Sequence, residues 1–193
     1  MSDEAPGFRA ELQRLEKVAA ATREAAEPEF LRLVGESVAA LRGGGKLLLF
    51  GNGGSAAEAQ HIAAELAVRY RHDRRALPAL ALTADTAVLT AAGNDLGYDE
   101  IFARQVEALG RPGDLALALT TSGRSANVIR GLDAARRLGL CAAALSGGDG
   151  GALHGLADPL VLVPSFETAR IQEMHLALGH VLCAAIERAL DLA

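Results

Sequence analysis

Leu47-Leu48-Leu49-Phe50-Gly51-Asn52-Gly53-Gly54-Ser55 decides the fold: an apolar run enters a glycine-rich turn, and Ser55 with Glu58 three positions later opens a helix. The order is strand, tight turn, helix start, with Ser55 and Glu58 spaced as a capping box. A helix beginning there presents N–H groups without intrahelical partners, the ordinary seat of a phosphate. His61 and Glu65 follow at four-residue spacing, so they share one helix face about a turn deeper.

Outward from this segment the alternation repeats. Short apolar runs at 47–50, 80–83, 115–119, 141–145 and 160–163 are separated by stretches of helical period. Nearly continuous apolar runs mark strands buried on both faces, and strands alternating with helices mark parallel pairing. The fold class is therefore α/β: a doubly wound, five-stranded parallel sheet in three α/β/α layers. Ligands of such sheets sit beyond the carboxyl ends of the strands, which is where the loops after the first and third runs lie. Residues 8–43 precede the sheet as a charged-amphipathic helical arm. Leu12, Leu15, Val18, Leu31, Val34, Val38 and Leu41 stand at helical spacing there, with a break predicted at Glu27-Pro28. Residues 1-45 are expected to form this arm, as part of the same domain, and residues 46-193 the sheet domain. The stretch 167–192 reads as one long helix. Ile171, Met174, Leu178, Val181, Leu182 and Ile186 cover much of its circumference, which calls for burial on two sides and hence an oligomer.

A chain of 193 residues is long enough for one well-cored domain. Half of the residues are apolar and only 4% aromatic, so the core is built from Ala, Leu and Val. The net charge of −5 lacks the basic footprint of sequence-independent nucleic-acid binding. The one basic cluster, Arg69, Arg71, Arg74 and Arg75, reads as a solvated helix end or a local anion contact. Cys141 and Cys183 fall in strand-like and helix-like contexts and read as small core residues rather than a disulfide or a metal pair. No basic-then-apolar leader opens the chain, and no apolar stretch reaches the ~18 residues of a membrane span. A soluble cytoplasmic protein is expected, with no nucleic acid and no membrane among its partners.

The first loop also fits G-x-G-x-x-A through Gly51, Gly53 and Ala56, the loose dinucleotide fingerprint. That fingerprint requires an acid about 20 positions on, at the end of the next strand. The nearest candidate, Asp85, lies 29 beyond Ala56, and no Gly-Lys-Ser/Thr follows to make a P-loop. A second loop, Thr120-Thr121-Ser122-Gly123-Arg124-Ser125, brings four hydroxyls to the end of a strand and the start of a helix. A helix N-cap needs one hydroxyl; four suit a phosphate monoester that no lysine clamps.

With these two loops on the page, the chain resembles the sugar isomerase (SIS) domain of phosphosugar-binding proteins. Within that family the combination resembles the sedoheptulose-7-phosphate isomerases. The matching residues are Gly51-Asn52-Gly53-Gly54-Ser55, His61-x-x-x-Glu65, Gly93-Asn94-Asp95, Thr121-Ser122-Gly123-Arg124-Ser125-Ala126-Asn127, and Arg170-Ile171-Gln172-Glu173 followed by His180. They span nearly the whole chain. The resemblance implies conversion of sedoheptulose 7-phosphate to D-glycero-D-manno-heptose 7-phosphate, the first step toward nucleotide-activated heptoses. It implies that Ser55, Thr120, Thr121, Ser122 and Ser125 hold the phosphate, aided at the anionic end by Arg69. Asn52, Gly53, Gly54, Asn94, Asp95 and Gln172 then line the substrate. It also implies one zinc per subunit on His61, Glu65, Gln172 and His180, in a homotetramer with active sites at subunit interfaces.

The chemistry makes sense of Glu65 and His180. Moving a carbonyl between C2 and C1 takes a proton from one carbon and returns it to its neighbour through an enediol. Glu65 is the expected base at carbon and His180 the proton carrier at oxygen, with zinc stabilising an enediolate oxygen. A carboxylate that ligates zinc throughout cannot freely act as base, so the two roles of Glu65 compete. The rival is a non-catalytic binding module, either a replication initiator-associating SIS protein, whose pattern lacks the acid and the imidazole, or a phosphosugar sensor. Gln172 and His180 are eight residues apart, roughly 12 Å along one helix. Unless a small ligand lies between them, both reach it only across a subunit interface, and a site completed by a neighbouring chain is expected. His175, one turn after Gln172, reads as structural, and His72 and His154 as solvated.

Overall fold

β1 (Leu47–Gly51) is buried along its whole length, and its two faces organise the rest of the chain. The computed structural model describes residues 7–192. In chain order the elements are α1 (Phe8–Arg42), β1, α2 (Gly54–Ala67), β2 (Ala79–Ala81), α3 (Thr86–Asp95), α4 (Ile101–Leu109), β3 (Leu115–Leu119), α5 (Ala126–Arg137), β4 (Cys141–Gly147), β5 (Leu160–Val163) and α6 (Thr168–Ala189). The strands form one parallel sheet in the order β2-β1-β3-β4-β5. The chain leaves β1 toward β2 on one side and returns to β3 on the other, so the direction of winding reverses between β1 and β3. That reversal opens a crevice at the carboxyl edge.

Period-two alternation assigns each strand residue to one of two cores. Leu47 and Leu49 of β1, with Leu115, Leu117 and Leu119 of β3, face the layer made by α1, α2 and α6. Leu48 and Phe50, with Ala116 and Ala118, face α4 and α5. The alanines of β3 on this second face leave room for two large rings. Phe50 and Phe102 pack there at 5.2 Å between centroids, so a low aromatic content is concentrated where the sheet is lined by alanine.

Two expectations are corrected. The arm is not broken at Pro28: α1 is a single 35-residue helix with Pro28 inside it. Pro28 lies on the exposed side, where water can serve the Glu24 carbonyl that loses its partner, while Ala26, Phe30 and Leu33 anchor the flanking turns in the core. The second correction concerns the capping box. Gly53, at φ +57°, is the N-cap of α2, and Ser55 stands inside the first turn. At the second strand, the run predicted at 80–83 is shortened to Ala79–Ala81 at the sheet edge. Among the described residues no helix is long and apolar enough to cross a membrane.

Candidate active site

The loops after β1 and β3 flank the crevice, as the adjacency of the two strands requires. In the first, the Ser55 and Ala56 N–H groups donate to the Asn52 and Gly53 carbonyls at 3.0 and 3.1 Å. Anion binding therefore rests less on free helix N–H groups than on hydroxyls. Ser55 is buried at the start of α2. In the second loop, Thr120 Oγ1 accepts from the Gly123 N–H at 3.3 Å and Ser122 Oγ from the Arg124 N–H at 3.2 Å. A hydroxyl that accepts from the backbone keeps its own O–H to donate outward. Ser125 is the N-cap of α5 yet makes no side-chain cap, and Thr121 beside it is half-buried. Arg124 turns away to an exposed pair with Asp149 at 2.9 Å. The Arg124 hydrogen bond and the Gly151 N–H hold the Asp149 carboxyl down at about 2.

Asn52 and Asn127 bolt the two loops together. Their carboxamides exchange hydrogen bonds of 2.8 and 2.9 Å, and the Tyr98 hydroxyl donates to Asn52 Oδ1 at 3.2 Å. Asn52 thus spends most of its capacity on holding the cradle. Asn94 and Asp95 lie exposed at the end of α3 and bond to each other at 2.7 Å. Asp85 caps α3 by accepting from the Val88 N–H, which accounts for the acid that failed the dinucleotide spacing.

Glu58, freed from the capping role, turns inward. It is largely buried near His175 of α6, with Oε2 3.8 Å from Nδ1. Burial pushes the Glu58 carboxyl up to about 7, against a hydrogen bond with Ser55. Burial likewise pushes His175 down to about 4, against a contact of its Nε2 with the Ser146 carbonyl. His175 is thus a core histidine directly behind the cradle.

The residues expected to react assemble at the other end of α2. His61 and Glu65 share a face as expected, Nε2 to Oε1 3.5 Å. His180 of α6 comes to His61, Nε2 to Nε2 2.8 Å, with the rings edge-on at 5.0 Å. One nitrogen of each histidine and one oxygen of Glu65 lie within 4.8 Å of one another. Gln172 lies elsewhere. It sits against Gly54, where a Cβ would displace its carboxamide. Gly54 is seven residues before His61, about 10 Å along the helix. Within one chain Gln172 belongs to the cradle end and His180 to the histidine cluster.

Sequence spacing does not reveal Asn127, Tyr98, Tyr70 or the Arg74–Glu187 pair. Asn127 falls inside the Thr-Ser-Gly-Arg-Ser-Ala-Asn run and its position at a helix start marks it. Arg74 corrects the picture of a solvated basic cluster: its side chain and that of Glu187 are each 1% exposed, and they pair at 2.8 Å across 113 positions. Arg69, Arg71 and Arg75 are exposed.

A cavity of about 640 Å³ lies at the β2 edge between Leu80 and Arg104, away from these groups. Beside the first loop there is a recess of about 110 Å³. Between α1 and α6 runs an apolar groove of about 340 Å³ lined by residues including Phe30, Leu31, Met174, Leu178 and Val181. Leu31 is 61% and Val181 53% exposed, and Val181 is adjacent to His180.

Residues 11–147 match the family model of the SIS domain. The chain is 60% identical over 168 residues to a phosphoheptose isomerase of Paramagnetospirillum magneticum, covering 87% of this chain and 88% of that one. It is 54% identical over 183 residues to a phosphoheptose isomerase of Aquifex aeolicus, covering 90% and 96%. Among solved structures, the phosphoheptose isomerase of Neisseria gonorrhoeae superposes with a TM-score of 0.89 at 40% identity, covering 93% of this chain and 96% of that one.

Proposed function

Because the chain belongs to the SIS-domain family, among the phosphoheptose isomerases, we propose that it is an aldose-ketose isomerase converting sedoheptulose 7-phosphate to D-glycero-D-manno-heptose 7-phosphate. The observation that carries the mechanism is the convergence of His61, Glu65 and His180, from two helices, on the same α2 whose start carries the hydroxyl-lined cradle. A binding module needs the cradle but not this cluster.

The steps balance on the chain's own groups. The hydroxyls of Ser55, Thr120, Ser122 and Ser125 hold the phosphate, with Thr121 beside them and Arg69 at the anionic end. Glu65 takes a proton from C1 of the ketose while the His61–His180 pair delivers one to O2, giving the enediol. Protonated Glu65 then returns its proton to C2, and the histidine pair removes the proton from O1 to leave the aldehyde. The two Nε2 atoms are in hydrogen-bond contact at 2.8 Å, one ring donating and the other accepting according to its tautomer.

Two imidazoles and a carboxylate are also ligands of the class that holds zinc. Zinc fits this set. We assign His61, Glu65 and His180 as its holders, with Gln172 as a fourth ligand from a second copy. When bound, the ion supplies Lewis-acid stabilisation of a negatively charged oxygen. Glu65 then serves as base in the state in which its second oxygen is free.

A homotetramer with shared sites is supported by the distance between Gln172 and His180 and by the apolar groove beside His180. The domain we assign to residues 46-193 is completed by α1, whose Leu33, Val38 and Leu41 share the core of β1. Free Cys141 and Cys183 suit a reducing compartment, and we assign the enzyme to the cytoplasm. Incubation with sedoheptulose 7-phosphate, followed by NMR, should show the aldose appearing; tight binding without conversion would favour the sensor.

A further inference from the structure

Glu65 lies in the last full turn of α2, where helix carbonyls run out of N–H partners. Here a buried guanidinium serves two of them. Arg74 Nη2 donates to the Glu65 carbonyl at 2.8 Å and Nη1 to the Leu66 carbonyl at 2.9 Å. Its Nε donates to Glu187 Oε1 at 2.8 Å. Glu187 stands on α6 two turns beyond His180. The same carboxylate accepts from the Tyr70 N–H at 3.2 Å and the Arg71 N–H at 3.4 Å. One ion pair therefore ties the turn of Glu65, the helix of His180 and the segment between α2 and β2 into one unit.

The segment so held places Tyr70 on His180. The two rings are stacked, 5.5 Å between centroids and 18° from parallel. The Arg71 guanidinium lies 5.2 Å from the Tyr70 ring centroid. His180 is thus constrained in two directions, face-on by Tyr70 and through its Nε2 by His61. A fully buried ion pair is a weak source of stability, because desolvation offsets attraction, and apolar pairs often serve equally well. Its value is directional: it admits one arrangement of donors.

We propose that Tyr70 is a positioning residue for His180, and that the Arg74–Glu187 pair is the device that fixes Tyr70, the Glu65 turn and His180 relative to one another. The assignment rests on the isomerase function. Proton transfer depends steeply on donor-acceptor placement, so a loose His180 ring costs turnover rather than substrate affinity.

The test is a Tyr70→Leu and Tyr70→Phe pair, with a paired Arg74→Met/Glu187→Leu variant that leaves no unpaired buried charge. Tyr70→Leu should lower kcat about tenfold with KM for sedoheptulose 7-phosphate within twofold, and Tyr70→Phe should restore kcat to within twofold of wild type. The double variant should lose kcat as Tyr70→Leu does, with a melting temperature lowered by the backbone groups it leaves unpaired. In histidine-labelled protein, Tyr70→Leu should move the His180 ring proton resonances downfield by removing the ring current, and Tyr70→Phe should leave them in place. Unchanged kcat in Tyr70→Leu, or loss of kcat in Tyr70→Phe, overturns the proposal. If wild type itself turns over no ketose phosphate, the isomerase function fails on its own, and the His180 resonances still decide whether Tyr70 fixes that ring.

Discussion

Glu58 and His175 show how one buried contact can hide two opposite titrations. Glu58, raised to about 7 from an ordinary 4.5, binds its proton more tightly when folded, so its contribution to stability falls as pH rises from about 4.5 to 7. His175, lowered to about 4 from 6.5, resists protonation when folded, so its contribution is lost as pH falls from about 6.5 to 4. The slopes oppose over the shared range. Relative to wild type, Glu58→Gln should make stability rise more steeply between pH 4.5 and 6.5, and His175→Asn should make it fall, both read from urea midpoints. Identical profiles in all three proteins would contradict this assignment. At this scale the sequence was partly legible. The four-residue spacing of His61 and Glu65 is local and survives into the structure, and the hydroxyl loop falls where a strand end puts it. The capping box was misread because Gly53 can adopt a positive φ that lets the chain turn two residues earlier. Arg74 and Glu187 carry no local mark at all, since a buried pair separated by 113 positions looks in sequence like two surface charges.

Among the elements, the parallel strands were legible because burial on both faces imposes apolar runs that nothing polar interrupts. β2 was placed less well: as an edge strand it is short and half exposed, so its apolar run overshoots its pairing. The continuity of α1 was not legible, because propensity predicts a break at Pro28 and only tertiary packing of Ala26, Phe30 and Leu33 overrides it. Pro28→Ala should therefore stabilise the protein, by about 1–3 kcal/mol in denaturant unfolding, by restoring the hydrogen bond to the Glu24 carbonyl and removing the ring clash. A destabilised variant would mean that the local backbone imposed by Pro28 is required for the fit of α1 on the sheet.

For the whole molecule, the separation of Gln172 from the histidine cluster within one chain is the observation behind the proposed shared site. The groove between α1 and α6, with exposed Leu31 and Val181, supplies apolar surface for that assembly next to His180. Glu65→Gln and Gln172→Ala should each be inactive alone, and mixed subunits, unfolded and refolded together, should recover a measurable share of wild-type activity. Activity in a form that sediments as a strict monomer would remove the shared site.

The central claim, that Glu65 moves the carbon-bound proton, meets its most direct measurement in solvent deuterium exchange at C1 of sedoheptulose 7-phosphate, followed by NMR. Wild type should exchange C1 hydrogen during isomerisation, and Glu65→Gln should lower exchange by about 10²–10⁴-fold while the sugar phosphate still binds. Exchange at wild-type rate in Glu65→Gln would contradict the account.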